Sequence, residues 1–329
     1  MYLLDLDKIQ PGDIILTRSE HRSSVFIQQQ GNCKYSHAIL YAGESSYIEA
    51  DGLGVHAMNS ARKLFDSPDD AIALRLKQIG EAGVIQRAVD FARTLIGTEY
   101  SPAEARRSVR ETDAPAIETN RQYCSRLVAM AYQSAQVTLV KNPDYSTVKD
   151  LLDSDHLDHI EHILREASQP EVDNANERNT ILEKQINDTN QILDQARNTT
   201  QKDIQDLSQL TEFMQYNPEF DKPISDIIRS SGYLDNWNIE MEKNLHHYNY
   251  DVFIKKVPKH ETREVGVMLL KISTTNLERF KQMLVVYTSL ATQFPLEYFN
   301  LFKELYTNLV ETATKMRVVA LTAIASSGV

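Results

Sequence analysis

Two side chains able to do covalent acyl chemistry, a thiol and an imidazole, stand in suggestive places in this sequence. Cys124 sits where Gln122-Tyr123-Cys124-Ser125-Arg126 leads into an apolar-periodic stretch with Leu127, Val128, Ala131 and Tyr132 on one side. A helix over 124–135 is predicted, with the thiol at its N-terminus, where unpaired N–H groups and the helix dipole favour a thiolate. A thiol nucleophile also needs a base to manage its proton. His37 opens the apolar run His37–Ala42, closed by Gly43, which reads as a strand. Glu49 lies on the next run, Tyr47–Ala50, where a carboxylate can hold the far imidazole nitrogen and fix its tautomer. The chemistry implied is acyl transfer. Cys124 attacks a carbonyl with its own backbone N–H helping to hold the oxyanion, His37 protonates the leaving group, and water or a second nucleophile releases the thioester.

Taken singly, these residues have ordinary readings. A buried Cys is usually packing, a His at a strand start is usually structural, and a Glu on a strand usually faces solvent. The elements that must position them are short. Asp13–Thr17 follows a Pro11-Gly12 turn, and Gly54–Met58 and Ala71–Leu76 join the two runs above, punctuated by Gly, Asp and Ser. An antiparallel meander is predicted, then a helix over 83–95 stopped by Gly97.

The stretch 165–179 is polar and reads as a linker. Beyond it, Leu182, Ile186, Leu193, Ala196, Ile204, Leu207 and Leu210 recur at helical spacing, interrupted by Thr189 and Thr200, as in a coiled-coil-like arm over about 180–214. After an irregular part holding Trp237, two helices are expected, over 276–294 and 295–325. The division is therefore residues 1–165, α+β, and 166–329, all-helical.

Other residues bear on the same chemistry. His156, His159 and His162 lie among acids in 153–162. On a helix two of them, with an Asp or Glu, could hold a metal, but residues six apart diverge, and a solvated charged helix is the plainer expectation; no metal is expected. Cys33 reads as a loop or core residue rather than a redox partner of Cys124. His56 is an alternative base. His21, His246, His247 and His260 read as surface residues. The apolar stretch 316–325 packs on its own bundle or, alternatively, docks on a membrane surface or partner.

The ordered set Tyr35-Ser36-His37-Ala38-Ile39-Leu40-Tyr41, Tyr47-Ile48-Glu49-Ala50, Gly54-Val55, Gly97-Thr98-Glu99-Tyr100 and Tyr123-Cys124-Ser125-Arg126-Leu127-Val128 resembles the circularly permuted papain-like cysteine hydrolases of the NlpC superfamily, in particular the YiiX/YebB-like amidase group. The likeness spans roughly residues 9–140, and Pro11-Gly12-Asp13-Ile14-Ile15 looks like the family's first strand entry. It implies a permuted papain-like domain, an antiparallel sheet packed on helices, in which His precedes Cys along the chain. It also implies a Cys124, His37 and Glu49 triad, with Tyr100 matching a tyrosine placed near the substrate. Arg126 departs from the pattern, since many members carry Glu after Cys-Ser.

Composition narrows the partners. The 329 residues carry a net charge of −11, with 18 Lys and Arg against 23 Asp and Glu over 1–165 and 17 against 23 in the remainder. Neither half offers the basic field that nucleic acid needs, so no nucleic-acid partner is expected. Two cysteines make no disulfide framework and fit a reducing compartment. Nothing resembles a signal peptide or a transmembrane segment, so a cytoplasmic protein is the default, with export by another route left open. The resemblance favours a peptide-like or peptidoglycan-like amide as substrate, with no cofactor. The alternatives are a lipid ester or thioester hydrolase or acyltransferase acting on an acyl lipid, and a non-catalytic binding or assembly module. The helical half is where homo-oligomer contacts are expected.

Overall fold

The computed structural model describes residues 1–18, 32–77, 83–110, 120–177 and 180–327. His21 lies outside them. The chain divides into two compact units, residues 1–179 with 203–210 and residues 180–202 with 211–329.

The first unit is built on strands β1 (Tyr2–Leu4), β2 (Ile14–Thr17), β3 (His37–Gly43), β4 (Ser46–Asp51), β5 (Gly54–Asn59) and β6 (Ala71–Leu76). Helices α1 (Val84–Thr94), α2 (Pro102–Arg110), α3 (Cys124–Ser134) and α4 (Val148–Leu152) come next, then β7 (Leu157–Ile160), β8 (Leu164–Glu166) and α5 (Gln169–Asn176). Six strands form one antiparallel sheet in the order β5-β4-β3-β2-β6-β7, and β1 pairs with β8 as a separate ribbon. The expected meander is β2 to β5, with β6 added on the other side of β2.

Both faces of this sheet are covered, which is why its strands read as continuous apolar runs rather than alternating ones. Ile14, Leu16, Ala38, Leu40, Ile48 and Leu74 pack in one core with Ala88, Leu127, Val128 and Tyr132 of the helices. Ile15, Ile39, Tyr41 and Ala73 pack in the other with Leu4, Phe65 and Ile163. Full burial of a residue such as Leu40 is worth about 1.5–3 kcal/mol. At the strand entry, the buried Asp13 carboxylate accepts from Arg75 Nε at 2.8 Å and Nη2 at 2.7 Å, a bidentate clasp between β2 and β6.

Three expectations are corrected here. Residues 157–160 are strand, not helix. β7 pairs with β6 at the sheet edge, and its exposed side supplies the polar side chains that read as a solvated helix. His159 there meets the Leu152 carbonyl at 2.8 Å, and among the described residues His156, His159 and His162 form no ligand group. The division expected at 165/166 cuts through β8, whose register Tyr2↔Glu166 ties it into the first unit. The stretch 165–179 is thus no open linker: its described part carries β8 and then α5, where Ser168 N–H donates to Glu171 Oε2 at 2.9 Å.

The second unit is helical, with α6 (Thr180–Thr200), the later part of α7 (Leu207–Tyr216), α8 (Asp221–Ser231), α9 (Asn236–Lys243), α10 (Tyr250–Lys256), α11 (Thr262–Gln293) and α12 (Glu297–Ser326). The arm read over 180–214 is not one helix. Gln201 adopts a left-handed backbone, φ 56°, ending α6, and helix resumes only at Leu207. Trp237 lies on α9 rather than in irregular chain.

The long antiparallel pair is α11 and α12, joined by residues 294–296. α11 starts 14 residues before its expected position because its buried stripe there uses small residues. Gly266, Leu269, Ser273 and Leu277 face inward, and a Cβ at Gly266 would lie 3.1–3.3 Å from Ile324, Ala323 and Ala320. A pattern sought in large apolar residues misses that seam. In α12, Met316, Val319, Ala320 and Ala323 pack on Phe253 and Leu269, while Val318 and Leu321 stay exposed. His260 is exposed as expected, whereas His246 and His247 are half-buried with rings 4.1 Å apart. No helix among the described residues is long and apolar enough to cross a membrane.

Candidate active site

Two elements of the first unit, α3 and β3, meet at one sulfur. Cys124 is the first residue of α3, so its own N–H has no intrahelical partner. Its thiol is buried, and the backbone N–H groups of Ala38 and Ser125 point at it together with the His37 side chain. Burial alone would push this thiol up; the His37 charge and hydrogen bond and the two backbone donors outweigh it and hold Cys124 below its ordinary value.

His37 reaches Glu49 because of strand register. Leu40 pairs with Ile48, so β4 runs on past that pair toward the start of β3 and carries Glu49 toward His37. Nε2 of His37 lies 2.8 Å from Glu49 Oε2. With Nε2 engaged, Nδ1 is the ring nitrogen left for the sulfur. The ring keeps 22% of its side chain exposed, room for a substrate to meet it. Burial pulls the His37 pKa down, but the Cys124 charge and hydrogen bond, with Glu49 behind, push it up to about 10. Each charge thus favours the other: a Cys124 thiolate raises His37, and a charged His37 lowers Cys124.

Glu49 is the hub. Its side chain is only 7% exposed, against the usual fate of a Glu on a strand. The hairpin β4–β5 turns through Gly52-Leu53, pairing Asp51 with Gly54 and so Glu49 directly with His56. Gly54 takes φ +91° there, and a Cβ would lie 2.6 Å from the Thr98 carbonyl oxygen, so no other residue fits without displacement. Nε2 of His56 stands 3.6 Å from Glu49 Oε1, and its Nδ1 donates to the Gly54 carbonyl at 3.1 Å. Lys63, just past a short 3₁₀ turn at Ser60–Arg62, brings Nζ to 3.3 Å from Glu49 Oε2. Burial pushes the Glu49 carboxyl up; the hydrogen bond from His37, the nearby His56 imidazole and the Lys63 charge hold it well below the usual carboxylate range.

Tyr100 lies beside the sulfur. A parallel bridge to Gln122 fixes it, and it lines the same cavity as Cys124, with Tyr35, Ser36, Tyr123 and Val148. Burial and the Cys124 charge push its phenol up. Cys33 borders this cavity too, but burial pushes its thiol up, the opposite of Cys124, and both cysteines are free. Arg126 is buried against Glu104 and Asp144, 3.4 Å from each, tying α3 to the segments on either side.

Of the residues expected from the sequence, the structure brings Cys124, His37, Glu49 and Tyr100 together and sets His56 behind Glu49 rather than beside the sulfur. Sequence reasoning missed Lys63. The tight hairpin signal Asp51-Gly52-Leu53-Gly54 could have paired His56, read only as an alternative base, with Glu49, but no spacing marks Lys63. Glu49, Asp51 and His56 also bring ligand-type atoms within 4.8 Å of one another. Lys63 and His37 already hold the Glu49 charge and the His56 Nδ1 proton faces Gly54, so the group fits proton sharing better than a cation.

A family model described as "permuted papain-like amidase enzyme, YaeF/YiiX, C92 family" matches residues 8–177, more than half of the chain. The chain belongs to that family. As a member of the YaeF/YiiX amidases it is a hydrolase of amide bonds at the level the family defines. One similar solved structure is described as the metalloprotein yiiX from Escherichia coli O157:H7, DUF1105. It is 16% identical, aligned over 46% of this chain and 97% of its own, with a TM-score of 0.31. No curated protein matches the chain.

Proposed function

We propose that this amidase works through Cys124 as nucleophile, His37 as general acid and base, and Glu49 as the group that orients His37, with Tyr100 against the bound substrate. The observation that carries this reading is the placement of His37 between the Cys124 thiol and the Glu49 carboxylate, with its ring partly open. The Cys124 sulfur attacks the carbonyl carbon, and the tetrahedral oxyanion lies near the N–H groups at the start of α3. Collapse breaks the C–N bond as the His37 imidazolium gives its proton to the departing amine. Water then attacks the thioester, His37 takes its proton, and the acid and thiolate are released. Acid–base transfer and oxyanion binding each contribute about 10²–10³-fold or more in such sites.

The substrate class favoured is a peptide-like or peptidoglycan-like amide. Hydrolysis of short peptides containing D-amino acids is compared with hydrolysis of lysophospholipids and acyl thioesters, with Cys124→Ser as the control. Amide cleavage lost by at least about 10³-fold in the control supports the reading. Turnover of the lipids or thioesters alone overturns the amidase assignment of this site.

A further inference from the structure

We propose that Lys63, assisted by His56, is a positioning residue that clamps Glu49 as a fixed anion and thereby sustains the Cys124 thiolate at acid pH. The inference rests on the Cys124, His37 and Glu49 reading above.

The geometry is that of a carboxylate held from three sides. His37 and Lys63 reach the same oxygen, Oε2, at 2.8 and 3.3 Å, while His56 stands 3.6 Å from Oε1. Tyr47 and Asp51 complete the titratable groups around it: the Glu49 charge adds to burial in pushing the Tyr47 phenol up, and Asp51 Oδ1 lies 3.6 Å from His56 Nδ1. Lys63 is itself held in place, its ammonium 5.3 Å from the Tyr47 ring centroid. Both nitrogens of His56 face acceptors, Glu49 on one side and Gly54 and Asp51 on the other, an arrangement that favours a protonated ring.

A buried carboxylate facing His37 alone would take up a proton as the pH falls, and the bond that fixes the His37 ring would change character. The Lys63 ammonium opposes this in two ways of the same sign. It lowers the cost of the Glu49 anion, and it adds positive charge to the neighbourhood of the thiolate. Removing it raises the pH at which Cys124 becomes a thiolate.

The test needs no substrate. The rate of Cys124 alkylation by iodoacetamide is followed against pH by peptide-resolved mass spectrometry, which separates it from Cys33. Wild type, Lys63→Met, Lys63→Arg, His56→Gln and His37→Ala are compared, with circular dichroism to establish the fold. The midpoint is expected to rise by about half a pH unit or more in Lys63→Met, to rise less in His56→Gln, and to stay at the wild-type value in Lys63→Arg. A folded Lys63→Met with an unmoved midpoint, while His37→Ala loses the acid-side reactivity, overturns the role of Lys63 and leaves the triad standing. Should His37→Ala also match wild type, the triad reading fails and the proposal with it. Should Lys63→Met not fold, Lys63→Gln carries the same comparison.

Discussion

Each unit of this molecule buries a polar cluster, and the two solve that problem in opposite ways. In the second unit Thr211 Oγ1 lies 3.0 Å from the Tyr287 hydroxyl and 2.9 Å from that of Tyr298, with both rings against Phe302 at 5.0 Å. Every group there is neutral, and burial pushes the phenols further from ionising. In the first unit the cluster is a chain of charges, from Cys124 through His37 and Glu49 to Lys63 and His56. Neutral hydrogen bonds satisfy buried groups at small cost and stay put. Buried ion pairs contribute little to net stability against their desolvation. The second unit holds a buried charge too, Asp188 against Lys184 at 2.5 Å, but as a single pair within one helix rather than a chain of titratable groups linked to a thiol.

The largest effect that bears on this contrast concerns pH. Ordinary values are 6.5 for His37 and 9.0 for Cys124. Between those pH values the unfolded pair carries one proton, on the thiol, and the folded pair carries one, on the imidazole. The pair's contribution to stability is therefore flat across that window. In Cys124→Ala burial still pulls the His37 pKa down, while the two largest influences raising it, the Cys124 charge and hydrogen bond, are gone. The His37 titration, followed by imidazole NMR, is therefore expected to fall from about 10 in wild type by several pH units in the variant. A titration that the substitution leaves unmoved breaks the charge description of the first cluster.

The second cluster gives a smaller and pH-independent effect. Thr211→Val removes one hydroxyl from two buried phenols and is expected to cost about 1–2 kcal/mol in thermal or urea unfolding. The Cys124 alkylation midpoint is expected to stay where it was. A shift in that midpoint would mean that the neutral cluster takes part in the chemistry.

How legible this was depends on what carries each feature. Cys124, His37 and Glu49 stand at a helix start and on two apolar strands, places ordinary when taken singly, and only their fixed order along the chain, resembling the permuted papain-like hydrolases, joined them into one site. The strands themselves read well because both sheet faces are buried, leaving unbroken apolar runs. The second unit read less well. The α11 seam hides in Gly266 and Ser273, and Gln201 ends α6 through its backbone rather than through a Gly or Pro. β7 looked helical because an edge strand exposes polar side chains as a surface helix does. Lys63 was illegible because a lysine after a turn marks nothing by itself; its role depends on a burial that only the packed β4–β5 hairpin creates.

The central claim is that Cys124 is a thiolate at neutral pH because His37 holds its proton. Thiolate absorbance near 240 nm tests it directly, taken as the difference between wild type and Cys124→Ser across the pH range, and again on a His37→Ala background. A thiolate signal already present at neutral pH in wild type, and displaced toward alkaline pH without His37, is expected. A signal that appears only near pH 9 in wild type, or that His37→Ala leaves unmoved, contradicts it.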